Sequence, residues 1–119
     1  MSRTPRNREA GADADASAPV FAALGDPTRL GLVARLCEGG PQSIAALTRG
    51  TDVTRQAVAK HLRVLGEAGL VRGSRHGRES RWEVVPRRFE VAQRFLTLMS
   101  RRWDEHLAAL ERHVARMGD

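Results

Sequence analysis

Between Ser43 and Ala68 the chain is punctuated so tightly that few folds can hold it. Ser43 can cap a helix, and Ile44, Ala45, Ala46 and Leu47 follow it before the segment closes near Gly50. The turn Gly50-Thr51-Asp52-Val53 leads to Thr54, a further cap, and to a longer helical pattern running to about Ala68. Within it Val58, Leu62 and Leu65 recur at i, i+4 and i+7, so they share one face and must point into a core. Two short helices joined by a tight turn, the second with a polar outer face, make the helix-turn-helix arrangement.

The flanks extend this reading. Upstream, Pro19 to Leu24 is a short apolar stretch ended by Gly25, expected to form one or two helical turns. Asp26 then caps a new helix and Pro27 suits its first position, where the missing N–H costs nothing. Leu30, Val33, Ala34 and Cys37 fall on one stripe of that helix and Leu32 and Leu36 on a second, which predicts a helix wedged between two neighbours with Cys37 buried as a small hydrophobe. Gly39-Gly40-Pro41 stops it. Residues 1–17, with Arg3, Arg6 and Arg8 near the start, carry no apolar periodicity and are expected to be a flexible arm.

After Gly69 the period changes. Residues 70–74 and 81–85 are strand candidates joined by the loop 75–80, in which Gly77 is placed for a hairpin. Pro86 interrupts, and from about Arg88 to Met117 the apolar series Phe89, Ala92, Leu96, Met99, Trp103, Leu107, Leu110, Val114 describes one long helix whose seam approaches a heptad repeat, with Leu107 one place late for a strict one. The expected fold is mainly α with a small β-hairpin: a winged helix-turn-helix domain over 18–87, preceded by the arm and followed by a long C-terminal dimerisation helix over 88–119.

Charge suggests what the polar faces are for. The formal net charge is +6 and, of 20 basic residues, Lys60 alone is lysine. Arginine forks onto phosphates and guanine edges, which favours a nucleic-acid partner. With Val58, Leu62 and Leu65 inward, Gln56, Lys60, Arg63 and Glu67 fall on the opposite side of the helix. Arg55 and Gln56 occupy its first turn, the end that enters the major groove first, and are suited to guanine and adenine respectively. Thr54, Arg55, Gln56, Lys60, His61 and Arg63 are the candidate DNA contacts on this helix, His61 as a half-buried side chain at the edge of the core stripe. The hairpin adds Arg72, Arg75, Arg78 and Arg81 against Glu79, suited to backbone or minor-groove contact.

With these pieces in place, PVFAALGDPTRLGLVARL followed by TRQAVAKHLRVLGEAGLVRGSRHGRESRWEV resembles the ArsR family of bacterial winged-helix repressors. The resemblance spans roughly residues 18 to 115 and is carried by the run Leu24 to Arg29 and by the block from Ala59-Lys60-His61-Leu62 to Gly69-Leu70-Val71. It implies a homodimer that binds an imperfect palindrome in double-stranded DNA and lets go when an inducer, here unknown, binds. It also implies pairing through the first and last helices. Independently, a chain of 119 residues cannot bury both stripes of the Asp26 helix and the whole final seam within one protomer. Phe21, Leu24, Phe89, Leu96, Met99, Trp103, Leu107 and Leu110 are therefore the expected dimer residues.

Metal-sensing members of that family place paired cysteines in the helix before the recognition helix, but Ser43 to Thr48 contains none. Asp104-Glu105-His106 and Glu111-Arg112-His113 superficially resemble the family's other metal site, on the last helix. His106 and His113 are however two turns apart, too far to share an ion without a partner chain. No metal site and no cofactor are expected. Nothing forms a nucleophile-base-orienter set, a phosphate loop or a carboxylate pair, so an enzyme is not expected. No stretch has the length and apolarity of a membrane span, and a single cysteine allows no internal disulfide; together these place the expected protein in the cytoplasm without a membrane partner. Two other readings stay open at this point: an interaction scaffold built on the same winged fold, and a sensor in which Cys37 or a metal sets the DNA-bound state.

Overall fold

The computed structural model describes the backbone of residues 5–118 and the side chains of residues 11–118. Five helices and one hairpin follow in the order α1 (Pro5–Leu24), α2 (Pro27–Gly39), α3 (Ile44–Arg49), α4 (Arg55–Glu67), β1 (Val71–His76), β2 (Glu79–Val84) and α5 (Pro86–Met117). The three caps sit where their residue types place them. Asp26 accepts from the Arg29 N–H at 3.0 Å, and the Ser43 and Thr54 hydroxyls accept from the N–H groups of Ala46 and Ala57 at 3.1 Å each. Each satisfies one of the donors that a helix start leaves without an internal partner.

The core gathers side chains from every helix and from β1. Val20 and Ala23 of α1, Leu32, Val33 and Leu36 of α2, Leu47 of α3, Val58, Leu62 and Leu65 of α4, Leu70 just before β1, Val71 of β1 and Ala92 of α5 form one buried cluster. Val58, Leu62 and Leu65 are all fully buried, as their spacing requires. Between α4 and β1 the chain turns through Gly69 at φ 77°, the left-handed region that favours glycine. There the Gly69 N–H donates to the Gly66 carbonyl at 2.9 Å and the Leu70 N–H to the Leu65 carbonyl at 3.0 Å. These paired bonds are a Schellman ending, and they leave no slack between helix and strand.

The hairpin is longer and its turn tighter than expected. The ladder runs from Val71↔Val84 to His76↔Glu79, leaving only Gly77 and Arg78 in the turn, with Gly77 at φ 66°. A positive φ at the first of two central residues suits the II′ type of hairpin. Pairing at both ends of the expected loop extended the strands into it. At its base Gln42 adds one strand-like residue: its N–H donates to the Trp82 carbonyl at 3.0 Å and its carbonyl accepts from the Trp82 N–H at 2.8 Å.

Three expectations are corrected by packing. The segment expected to be a flexible arm is helical from Pro5 onward, while residues 1–4 and the side chains of Arg6 and Arg8 lie outside the described residues. Its helix is held by α5, since the Ser17 hydroxyl, itself buried, donates to the Val91 carbonyl at 3.4 Å and Asp13 pairs with Arg94 at 3.7 Å. These contacts join residues 74 and 81 positions apart, so local periodicity holds no sign of them. Second, α5 starts at Pro86 rather than near Arg88. Third, Cys37 is exposed, and Leu30 on the same stripe is 53% exposed. Only the Leu32, Val33 and Leu36 side of α2 meets the core.

Candidate nucleic-acid interface

Helix α4 presents the face its pattern implies. Arg55, Gln56, Lys60, Arg63 and Glu67 are all exposed, opposite the three buried aliphatic residues. Thr54 is exposed too, but its hydroxyl is engaged as the cap. The preceding turn is braced from within: the Thr51 hydroxyl donates to the Thr48 carbonyl at 3.0 Å, and the Arg35 guanidinium donates to the carbonyls of Ala46 and Leu47 at the end of α3. A guanidinium beside the last carbonyls of a helix also opposes the partial negative charge there. The two helices of the motif are thus held by polar contacts as well as by Leu47 and Leu62.

His61 is half-buried, as its place at the edge of the core stripe implies. Its Nδ1 lies 3.4 Å from Arg29 Nη1 and 4.0 Å from Asp26 Oδ2, so the ring faces the junction of α1 and α2. One step of about 100° round the helix from Lys60 is enough to take it off the exposed face. The Asp26 carboxyl is held below the usual carboxylate range, chiefly by the bond from the Arg29 N–H, with the charges of Arg29 and His61 adding to it.

On the hairpin, register decides which arginines are available. Arg72 stands directly opposite Glu83 and pairs with it at 2.9 Å; Arg81 pairs with Glu79 at 3.0 Å. Alternation puts Arg72, Arg81, Glu79 and Glu83 on one face of the ladder, where their charges balance. The Arg81 guanidinium accordingly draws the Glu79 carboxyl below its ordinary range. The expected excess of positive charge therefore moves to the tip, to Arg75, which donates to Ser80 at 3.4 Å, and to the exposed Arg78 in the turn. Glu83, two residues beyond Arg81, was the legible sign of this that a count stopping at Glu79 overlooks.

The expected dimer residues divide in two. Leu24 and Phe89 pack against the protomer's own core, Met99 is half-buried, and Phe21, 37% exposed, meets Phe95 edge-on with ring centres 6.1 Å apart. Leu96, Trp103, Leu107 and Leu110 are exposed, and Val114 and Met117 continue the row. With Met99 set aside, this row keeps strict heptad phase: Leu96, Trp103, Leu110 and Met117 at one position, Ser100, Leu107 and Val114 at the other. Leu107 was one place late only because Met99 belongs to a different side of the helix. Among the described residues no group of three or more His, Cys, Asp or Glu side chains is placed to hold a metal ion, and no helix is long and apolar enough to cross a membrane. His106 stacks on Trp103 with ring centres 5.7 Å apart.

Comparison with known proteins agrees with this geometry. A family model described as a helix-turn-helix domain matches residues 24–74. The chain is 29% identical over 97 residues to the arsenical resistance operon repressor of Escherichia coli (strain K12), covering 82% of this chain and 83% of that protein. Among solved structures, an ArsR-like transcriptional regulator from Rhodococcus sp. RHA1 superimposes with a TM-score of 0.71 at 37% identity, over 82% of this chain and 92% of that one. The homodimeric winged helix-turn-helix DNA-binding domain of a possible ArsR-family regulator from Mycobacterium bovis does so with a TM-score of 0.59 at 26% identity, over 90% and 93%. In sequence and in fold, the chain belongs to the ArsR family of winged helix-turn-helix transcriptional regulators.

Proposed function

We propose that two copies of this DNA-binding regulator pair along α5 and read a near-palindromic operator as a repressor, with Arg55 and Gln56 at base edges, Lys60 and Arg63 at bases or phosphates, and the hairpin tips on the backbone. The observation that carries this reading is the division of α4: Val58, Leu62 and Leu65 fully buried, Arg55, Gln56, Lys60 and Arg63 exposed. Shape supports the pairing. The radius of gyration is 19.8 Å, whereas a compact chain of this length has about 13.5 Å. Helix α5 alone, at 32 residues, is about 48 Å long, and its distal half carries an apolar row with no cover in the protomer. Two-fold pairing covers that row and sets two α4 helices to meet successive major grooves about 34 Å apart. Repression follows the E. coli relative, whose name states it.

The test is footprinting and fluorescence anisotropy on the DNA upstream of the protein's own gene. The protected region should contain two related half-sites one helical turn apart, and Arg55→Ala with Gln56→Ala should flatten the preference for it over random duplex. DNA retention and preference unchanged in that double variant would refute the assignment of α4. Transcription from that promoter that rises when the protein is added would refute repression.

A further inference from the structure

We propose that Arg29 is a positioning residue for DNA reading: its guanidinium, shared between the end of α1 and His61 of α4, sets the angle at which the recognition helix leaves the protomer. The proposal rests on the reading of α4 as that helix. Arg29 Nε donates to the Ala23 carbonyl at 2.6 Å, one of the last α1 carbonyls, which the helix itself cannot satisfy. From the other side of the same planar group, Nη1 lies 3.4 Å from His61 Nδ1. The Arg29 backbone is fixed in turn by the Asp26 cap at 3.0 Å. One side chain thus joins α1, the first turn of α2 and the middle of α4.

The chemistry is specific to arginine. A guanidinium offers several N–H donors in a rigid plane and stays charged, so it holds two acceptors at a fixed mutual angle; the lysine ammonium, a point charge on a flexible stem, does not. Facing a permanent donor, the neutral form of the His61 ring accepts at Nδ1 and carries its proton on Nε2. His61 lies between Lys60 on the exposed face and Leu62 in the core, so a turn of α4 that releases its ring also re-aims Gln56 and Lys60. Helix α1 packs on α5, the element that bears the exposed apolar row. Arg29 is therefore a polar bridge between the pairing helices and the reading helix.

The test compares Arg29→Lys, Arg29→Met, His61→Phe and His61→Asn in the full chain, with affinities for the footprinted operator and for a random duplex, thermal unfolding, and sedimentation. The expected result is an operator-to-random ratio lower in Arg29→Lys and His61→Phe by about tenfold per half-site, the size of one lost charge-assisted hydrogen bond, and so by about a hundredfold for the dimer, with random-duplex affinity, melting and self-association near wild type. His61→Asn, whose side-chain oxygen falls near the place of Nδ1, should restore the ratio. Combining Arg29→Lys with His61→Phe should cost no more than either alone. An unchanged ratio, or a fall of both affinities in step with the melting temperature, overturns the proposal; so does a double variant in which the two losses simply add. If Arg29→Met does not fold, the Lys and Phe variants carry the decision. A wild-type protein without operator preference would instead overturn the reading of α4 beneath it.

Discussion

Replacing Trp103 with alanine separates folding from pairing. The side chain is 61% exposed and absent from the buried cluster, so its removal leaves the protomer's core intact. A tryptophan buries at most about 250 Å², which leaves about 150 Å² here for a partner to cover. At ~25 cal/mol per Å² that surface is worth about 4 kcal/mol, or about 3 kcal/mol after allowing for the methyl group that remains. A two-fold axis counts the loss twice, giving about 6 kcal/mol per dimer and a dissociation constant raised by about 10⁴. Partial refilling of the gap reduces the measured change, so the expected range is about 10² to 10⁴. Sedimentation equilibrium over a wide concentration range measures it, with far-ultraviolet circular dichroism as the folding control. A dissociation constant within about threefold of wild type, in a folded protein, would refute the assignment of the α5 row to self-association.

Other perturbations address the remaining contacts. Arg75→Ala and Arg78→Ala should each lower the slope of log affinity against log salt by about one per protomer, or about two for the dimer, while Arg72→Ala, already paired with Glu83, should leave it nearly unchanged; anisotropy titrations across a range of potassium chloride distinguish them. Leu62→Ala, at a fully buried position, should cost about 3–5 kcal/mol in urea unfolding through the cavity it leaves. Asp26 and Glu79 both have depressed carboxyl pKa values, so they contribute stability above the ordinary carboxylate range, and that contribution is lost as pH falls through their lower folded values. Asp26→Asn, which still caps α2, should therefore flatten part of the acid-side decline in melting temperature between neutral pH and pH about 3.

What the sequence showed and what it hid divide along contact range. Asp26, Ser43 and Thr54 cap because of interactions three residues long, and Val58, Leu62 and Leu65 are buried because of a period of 3.6; both are local and both were legible. The exposed face with Gln56, Lys60 and Arg63 followed from the same period. The ladder register, by contrast, depends on which residues meet across the turn, so the pairing of Arg72 with Glu83 was not visible in a list of charges. The Gln42 bridge to Trp82 spans 40 positions and has no local signature. The packing of α1 on α5 through Asp13, Ser17 and Phe21 is long-range, and the exposure of Cys37 depends on where α2 has no neighbour. His61 was placed beside the core stripe by its spacing, but its partners, Arg29 and Asp26, come from a distant helix start.

The Schellman ending at Gly69 ties α4 to the hairpin, and the bridge from Gln42 to Trp82 ties the hairpin to the segment before α3. If α4 reads the groove and the hairpin grips the backbone as proposed, the two behave as two teeth of one key: a substitution or bound molecule that tilts α4 swings Arg78 with it. Evolution of a new operator through this scaffold would have to alter base preference and phosphate registration in the same step.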